Sequence, residues 1–297
     1  MSYRSTCSAA VLLGAVLLAA IACGDAQSDA EPDGAGSGGA AGGGVAAGGA
    51  PLDDAPDFSL PPGRIRVTTW LEFGETELAA TFADGPLPQQ REESERIGSC
   101  RLTTFRASTC TPSCLGGSVC VSERCEVFPA QLDRGPLEWS WPGGQQTLTA
   151  SATGGYYGAG AALTTGDVVV AVDGASFSAP IVESPSPEGD WTQALSARPA
   201  AESVTLRWSN PSPGARLRLH MTDCTGTHGG AAAAEIECEA ADSGQLVLPG
   251  AFLDALAAGD WSRGECGSHR LERYHVDGDE LLRLETIART DVFYRPE

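Results

Sequence analysis

Lysine is absent from the chain: the 19 basic residues among its 297 are all arginine, and they face 39 Asp and Glu. The formal net charge of −20 repels phosphate backbones and anionic lipid. Nucleic-acid binding and membrane docking through the protein body are therefore disfavoured. An arginine-only base set reflects a G+C-rich coding sequence more than a mechanism. Aromatics make up 6% of the residues and only two are methionine. Neither a Gly-x-Ser-x-Gly nucleophile elbow nor a His-Glu-x-x-His zinc helix occurs. The absence of a repeat at a period of roughly 20–50 residues argues against a propeller or solenoid. Gly34-Ala-Gly-Ser-Gly-Gly39 spells the dinucleotide fingerprint, but no strand precedes it and no helix follows, so it predicts no cofactor.

What is present begins with Ala9-Ala-Val-Leu-Leu-Gly-Ala-Val-Leu-Leu-Ala-Ala-Ile-Ala-Cys23, behind a short opening that carries Arg4. A basic start, an apolar run too short to span a bilayer and small residues before a cleavage point make a secretory signal. The cysteine after Ala22 resembles the lipobox of bacterial lipoproteins, with Ala20 where leucine is commoner. That resemblance implies acylation of Cys23 as the new N-terminus and a membrane held through lipid. Each buried CH₂ contributes about 0.8 kcal/mol, so several acyl chains anchor firmly. Gly24, rather than aspartate, implies by the same resemblance an outer-membrane address, on its periplasmic or cell-surface face. Residues 1–22 are thus read as the signal. Residues 23–63 are read as the acylated cysteine plus a Gly/Ala/Asp tether with seven acids and no base before Gly63. A disordered chain of that composition reaches on the order of 35 Å.

Of the ten cysteines, Cys7 belongs to the leader and Cys23 to the anchor; eight remain: Cys100, Cys110, Cys114, Cys120, Cys125, Cys224, Cys238 and Cys266. An even set in an exported chain predicts four disulfides. Cys110 to Cys125 packs four cysteines into sixteen residues with Pro112 and Gly116-Gly117, too little apolar content for a core. The segment resembles the small EGF-like or knottin-like modules of secreted proteins; a zinc knuckle is the rival, disfavoured where thiols oxidise. The pairs expected are Cys110–Cys120 and Cys114–Cys125. With five cysteines in one half and three in the other, at least one bridge must cross if all pair, and Cys100 is the candidate.

From Arg64 onward, short β-branched and aromatic runs alternate with Gly, Pro, Asn and Asp. Strands are expected at Arg64–Phe73, Glu75–Phe82, Cys100–Arg106, Leu137–Trp141, Gln146–Ala150, Asp167–Val172 and Ser176–Val182. Others are expected at Ser203–Trp208, Arg216–Met221, Ala234–Cys238, Gln245–Leu248, Arg270–Val276 and Leu281–Ala288. Arg91 to Arg96 reads as a solvated loop, and Pro249–Ala258 as the one helix. The fold class is therefore all-β: an antiparallel β-sandwich, immunoglobulin/fibronectin-like or jelly-roll-like, with a small disulfide-rich insertion and one short helix. Val204 to Met221 resembles a strand pair of an immunoglobulin- or fibronectin-type sandwich, although no Cys…Trp…Cys spacing supports a true immunoglobulin domain. The expected division is a hairpin region with the disulfide-rich loop at 64–134 and the sandwich at 135–297.

No spacing singles out a catalytic constellation. His220, His228, His269 and His275 lie in β segments or turns. Cys224-Thr-Gly-Thr-His228 offers two metal ligands, but Cys224 is expected in a disulfide. Asp277-Gly-Asp-Glu280 fails the EF-hand pattern at Leu281 and reads as a hairpin turn. Trp139 and Trp141 share a strand face, with Tyr156 and Tyr157 soon after. Exposed, these four make a candidate binding platform for sugar or protein; buried, they are core, which is the commoner fate. The reading is an exported, membrane-anchored lipoprotein with a non-catalytic binding or structural module, a protein or carbohydrate partner, and no metal, cofactor or nucleic acid. The alternative is an exported hydrolase whose site is assembled from residues distant in sequence. Acylation is directly testable: labelled palmitate is expected to enter the wild-type chain and to be lost on Cys23→Ser, and equal labelling of both would refute the lipobox reading.

Overall fold

Strict alternation in the strands sets the layers. In β1 (Gly63–Trp70), Ile65 and Val67 are buried on one side while Arg64 and Arg66 stand half-buried on the other. The computed structural model describes residues 55–70, 73–89, 91–105, 110–223, 232–259, 268–294 and 296. The chain continues through β2 (Glu75–Phe82), β3 (Arg91–Ile97), β4 (Cys100–Phe105), β5 (Ser118–Val121), β6 (Arg124–Val127), β7 (Leu137–Trp141) and β8 (Gly144–Leu148). Next come β9 (Tyr156–Ala161), β10 (Asp167–Val172), β11 (Ala175–Pro180), β12 (Ser186–Pro187), α1 (Trp191–Ser196) and β13 (Val204–Ser209). Then follow β14 (Arg216–Thr222), β15 (Ala234–Ala241), β16 (Gln245–Leu248), α2 (Gly250–Ala257), β17 (Ser268–Gly278) and β18 (Leu282–Phe293).

One nine-stranded sheet, ordered β3-β4-β15-β14-β17-β18-β1-β2-β9, spans the body. A four-stranded sheet (β11-β10-β7-β8) and a three-stranded sheet (β12-β13-β16) pack on one of its faces. Two cores result. The first joins Leu217, Leu219, Ile236 and Leu271 of the large sheet to Leu206, Trp208, Leu248 and, from α2, Phe252 and Leu253. The second joins Ile65, Val67, Leu78 and Leu284 to Trp139, Val168 and Val170. Each such side chain contributes about 1.5–3 kcal/mol on burial. β1 to β4, from residues 64–134, lie in the same sheet as β9, β14, β15, β17 and β18, from residues 135–297.

The all-β class agrees with the sequence, with four differences of detail. β1 and β18 pair in parallel from Gly63↔Leu282 to Thr69↔Ala288, so the nine-stranded sheet is mixed. Arg91–Ile97 is an edge strand against β4, not a loop; charged, exposed side chains are what an edge needs to avoid pairing with other chains. There are two helices among the described residues rather than one. In α1, Asp190 Oδ1 caps the Gln193 N–H at 2.9 Å, and Trp191 and Leu195 are buried. Finally, β13 and β14 do not pair. The turn at 210–214 carries the chain from the small sheet to the large one, held by Asp242, which accepts from Trp208 Nε1 at 2.7 Å and Ser212 N at 2.6 Å. Arg273, turned inward from β17, closes that knot with its Nε 2.8 Å from Asp242 Oδ2.

Disulfides join Cys110 to Cys120, Cys114 to Cys125 and Cys100 to Cys238. The first two staple the β5–β6 hairpin in the pairing expected. The third bridges directly opposed residues of β4 and β15, 138 positions apart, and is the expected crossing bridge. Cys224 and Cys266 lie outside the described residues. In the chain-entropy account a closed loop of that larger size stabilises by about 5 kcal/mol and one of ten residues by about 3. C100A/C238A is therefore expected to lower the thermal midpoint more than C110A/C120A does. Scanning calorimetry checks the order, and the reverse ranking would show that the long bridge does not brace the sheet.

Candidate functional site: the arginine–glutamate face

The face of the large sheet away from the cores is built from the alternate residues of its strands. Arg64 and Arg66 come from β1, Arg216, Arg218 and His220 from β14, and Glu235, Glu237 and Glu239 from β15. Arg270, Glu272 and Tyr274 come from β17, and Arg283 and Glu285 from β18. Register places opposite charges side by side: Arg218 lies between Glu239 and Glu272, and Arg66 lies beside Glu285. Cross-strand pairs of this kind are the unit of sheet stabilisation.

The shortest contacts run diagonally to these register pairs, which themselves lie at 3.6–3.8 Å. Arg64 Nη2 donates to Glu285 Oε2 at 2.7 Å, and Arg66 Nη2 to Glu272 Oε1 at 2.7 Å. Arg218 Nη2 lies 3.3 Å from Glu285 Oε1, and its guanidinium carbon is 4.4 Å from the Tyr274 ring centre. Glu239 Oε1 accepts from Arg216 Nε at 2.9 Å and from Tyr274 OH at 2.6 Å. Glu239 and Glu285 are wholly buried. Burial by itself would push the Glu285 carboxyl up; the Arg218 and Arg64 charges outweigh it and hold the group at about 2. Glu272 is lowered in the same way, burial opposing Arg66, Arg270 and Arg218. Tyr274 is raised, first by burial and then by Glu239.

Toward the β3–β4 edge, Arg91 Nε lies 2.7 Å from Glu235 Oε2, Arg101 Nε donates to Glu237 Oε2 at 2.6 Å, and His220 Nε2 bonds Glu235 Oε1. His220, Glu235 and Glu237 bring three ligand atoms within 4.8 Å of one another. The surroundings do not suit a cation. Both carboxylates already hold guanidinium groups, and a dication there would face Arg91 and Arg101 at close quarters. The cysteine group Cys110, Cys114 and Cys125 is no better, because all three sulfurs are in disulfides.

Lying on this face is a segment of the chain itself. Arg283 Nη1 is 3.0 Å from Asp57 Oδ2, and its Nη2 donates to Ser59 Oγ at 2.9 Å. Arg216 Nη2 donates to the Ala55 carbonyl at 2.8 Å. The guanidinium carbons of Arg101 and Arg96 lie 4.3 and 5.2 Å from the centre of the Phe58 ring. Beside this segment opens a pocket of about 150 Å³ lined by Arg64, Arg66, Arg218, Arg270, His220, Glu237 and Glu272 together with residues 57–60. Arg270 is its least committed cation, its Nε 3.5 Å from Glu272 and its side chain 37% exposed. Part-exposed ion pairs contribute about 0–1 kcal/mol and cation–π contacts about 0.5–1, while ordering one residue costs about 1–2, so six residues are held with little margin.

The residues singled out from the sequence lie elsewhere. Trp139 and Tyr156 are buried in the second core, Trp141 is half-buried with its ring centre 4.3 Å from that of Trp139, and Tyr157 alone is exposed. The four therefore do not form an exposed row: Tyr156 and Tyr157 point to opposite faces of β9, and the Trp139 face of β7 is the one the large sheet covers. Cys23 and His228 lie outside the described residues, as do Cys224 and Cys266. His269 is buried and held down to about 4, chiefly by burial. Asp279 Oδ1 accepts from the Leu281 and Leu282 amides, so the 277–280 stretch is a hairpin turn. The arginine–glutamate face did have a sequence signal, in the period-two charges of Arg64-Ile-Arg66, Arg216-Leu-Arg-Leu-His220 and Glu235-Ile-Glu-Cys-Glu239.

No family model matches the chain, and no curated protein matches it. Among solved structures, one described as a Ca2+-stabilized adhesin that helps an Antarctic bacterium reach out and bind ice is 12% identical, with a TM-score of 0.23, over 80% of this chain and 75% of that one. A likeness of that size carries no argument here.

The buried charges imply a pH dependence. Glu285 titrates at about 2 in the fold against an ordinary value of 4.5. Its contribution is fully present above the unfolded value and is lost as pH falls from 4.5 toward 2. E285Q leaves Arg64 and Arg218 without their carboxylate in a dry site, so it is expected to cost about 3 kcal/mol at pH 7 and to flatten the loss of stability below pH 4.5. Urea midpoints at pH 7 and pH 3 check both; equal slopes for the two proteins would refute the assignment.

Proposed function

We propose that the chain is an exported, lipid-anchored binding module, without catalytic activity, whose arginine-bearing sheet face holds the carboxylates of an acidic chain. The observation that carries this reading is the docking of the protein's own residues 55–60 there, with the Asp57 carboxylate on Arg283, beside a pocket lined by four arginines, of which Arg270 is the least committed. Arginine suits the task, since its planar fork matches a carboxylate. Three disulfides among the described residues are compatible with an exported protein. A second reading, an exported hydrolase, draws on His220, which lines the same pocket and is oriented by Glu235. The one hydroxyl in that lining, Ser59, belongs to the docked segment and is engaged by Arg283, so on this reading His220 would have to act on water.

A chain of net charge −20 that binds an acidic ligand must do so locally. At an ionic strength of 0.15 M the screening length is about 8 Å, so distant acids are muted while arginines in contact still act; at 0.01 M it is about 30 Å, and the whole negative surface repels. Binding of polyglutamate or polygalacturonate is therefore expected to pass through a maximum near 0.1–0.2 M salt, to weaken at least fivefold in R270Q, and to be absent for neutral dextran. Titration calorimetry reads all three. Equal affinity for dextran, or no binding of either acidic polymer, would sink the proposal.

A further inference from the structure

Resting on that reading of the face, the geometry points, we infer, to one kind of ligand: an extended peptide in which an acidic residue is followed directly by an aromatic one, for which Asp57–Phe58 is the stand-in built into the chain. The cradle reads two adjacent side chains by different chemistry. Arg283 takes the carboxylate and, through its other nitrogen, the hydroxyl two positions on. Arg101 and Arg96 offer their guanidinium groups to the ring. Arg216 takes a main-chain carbonyl, which any peptide supplies. The four arginines come from β18, β4, β3 and β14, strands set in place by the sheet and its disulfide rather than by residues 55–60. A polyuronate presents carboxylates but no ring, so it would leave Arg96 and Arg101 with nothing to stack on.

Residues 55–60 are poorly suited to be a permanent part of the wall. Ala55, Ser59 and Leu60 are exposed, and the Asp57 side chain is 44% exposed despite its ion pair. They are nevertheless hard to displace, because Pro61-Pro62 joins them directly to β1. Proline fixes the chain direction there, so the cradle meets its in-chain occupant at a high effective concentration. A free peptide competes only when it is abundant or when the occupant is weakened. The face is thereby kept covered until a better-matched segment arrives.

The test uses the full-length chain and a labelled six-residue peptide copying Ala55–Leu60, read by fluorescence anisotropy. D57N/F58A removes both recognised groups without touching the sheet. This variant is expected to bind the peptide at least tenfold more tightly than wild type does, and adding R101Q and R283Q should abolish the gain. Peptides carrying Asn for the acid or Ala for the ring should bind the opened chain at least fivefold more weakly. F58L serves in place of the double variant if calorimetry shows that the latter is unfolded. Equal peptide affinity in opened and wild-type chains, or indifference to the acid or the ring, overturns the inference. If the opened chain binds polyglutamate but not the peptide, the face still holds acidic chains and only this inference falls; if it binds neither, both fall. Wild-type dimers in sedimentation that vanish in D57N/F58A would overturn it in favour of a second copy as the occupant.

Discussion

Two carboxylates, Glu239 and Glu285, are wholly buried beneath arginines on one face of a nine-stranded sheet, and much else in the fold follows from keeping them paired. Removing an ion from water costs several kcal/mol even after relaxation, and only good geometry offsets it. The geometry comes from register. A slip of one residue in β14 would turn Arg216 and Arg218 into the apolar core and expose Leu217, Leu219 and Met221. The apolar side and the charged side thus enforce the same alignment of β14 against β15 and β17. Cys100–Cys238 pins the neighbouring β4–β15 pair in the same register.

The parallel pairing of β1 with β18 extends the constraint to the whole chain. It brings Arg64 and Arg66, near the start of the described body, onto Glu285 and Glu272, near its end. More than two hundred residues separate these partners. The first core lies on β14, β15 and β17, and the second on β1, β2 and β18. The charge lattice therefore runs across the seam between the cores on the opposite side of the sheet. Its dependence on burial is mutual: long arginine side chains lie over the carboxylates, and the carboxylates hold the arginines down.

Legibility from the sequence tracked how local the physics was. Val204, Leu206 and Trp208 declared their face by alternation, Pro249 marked the start of α2, and the pairs within Cys110–Cys125 emerged as expected. Local signals failed where a neighbour decides. Arg91–Ile97 is charged at nearly every position and reads as a loop; it becomes a strand because the β4 edge offers hydrogen bonds. α1 is six residues long and shows little beyond its Asp190 cap. The site was half visible. Period-two charges on single strands can be read in the letters, but which arginine meets which glutamate depends on a strand order that no short window contains.

The fate of the aromatics and that of the arginines share one cause. Trp139 and Trp141 share a strand face and would make a platform only if exposed, in a chain where aromatics are scarce at 6%. The same scarcity sends them inward: a core built mainly of Val, Leu and Ala gains most from the largest apolar side chains available, and Trp139 fills the space between two sheets. The sheet's outer face must then be made from what remains, and in a lysine-free chain that means arginine. Arginine keeps its charge when half-buried, stacks on rings and forks onto carboxylates, so a face first required to balance buried glutamates is already fitted to hold further carboxylates and aromatic rings. The docking of Asp57 and Phe58 on it follows from that chemistry, which does not depend on whether the ligand belongs to the same chain.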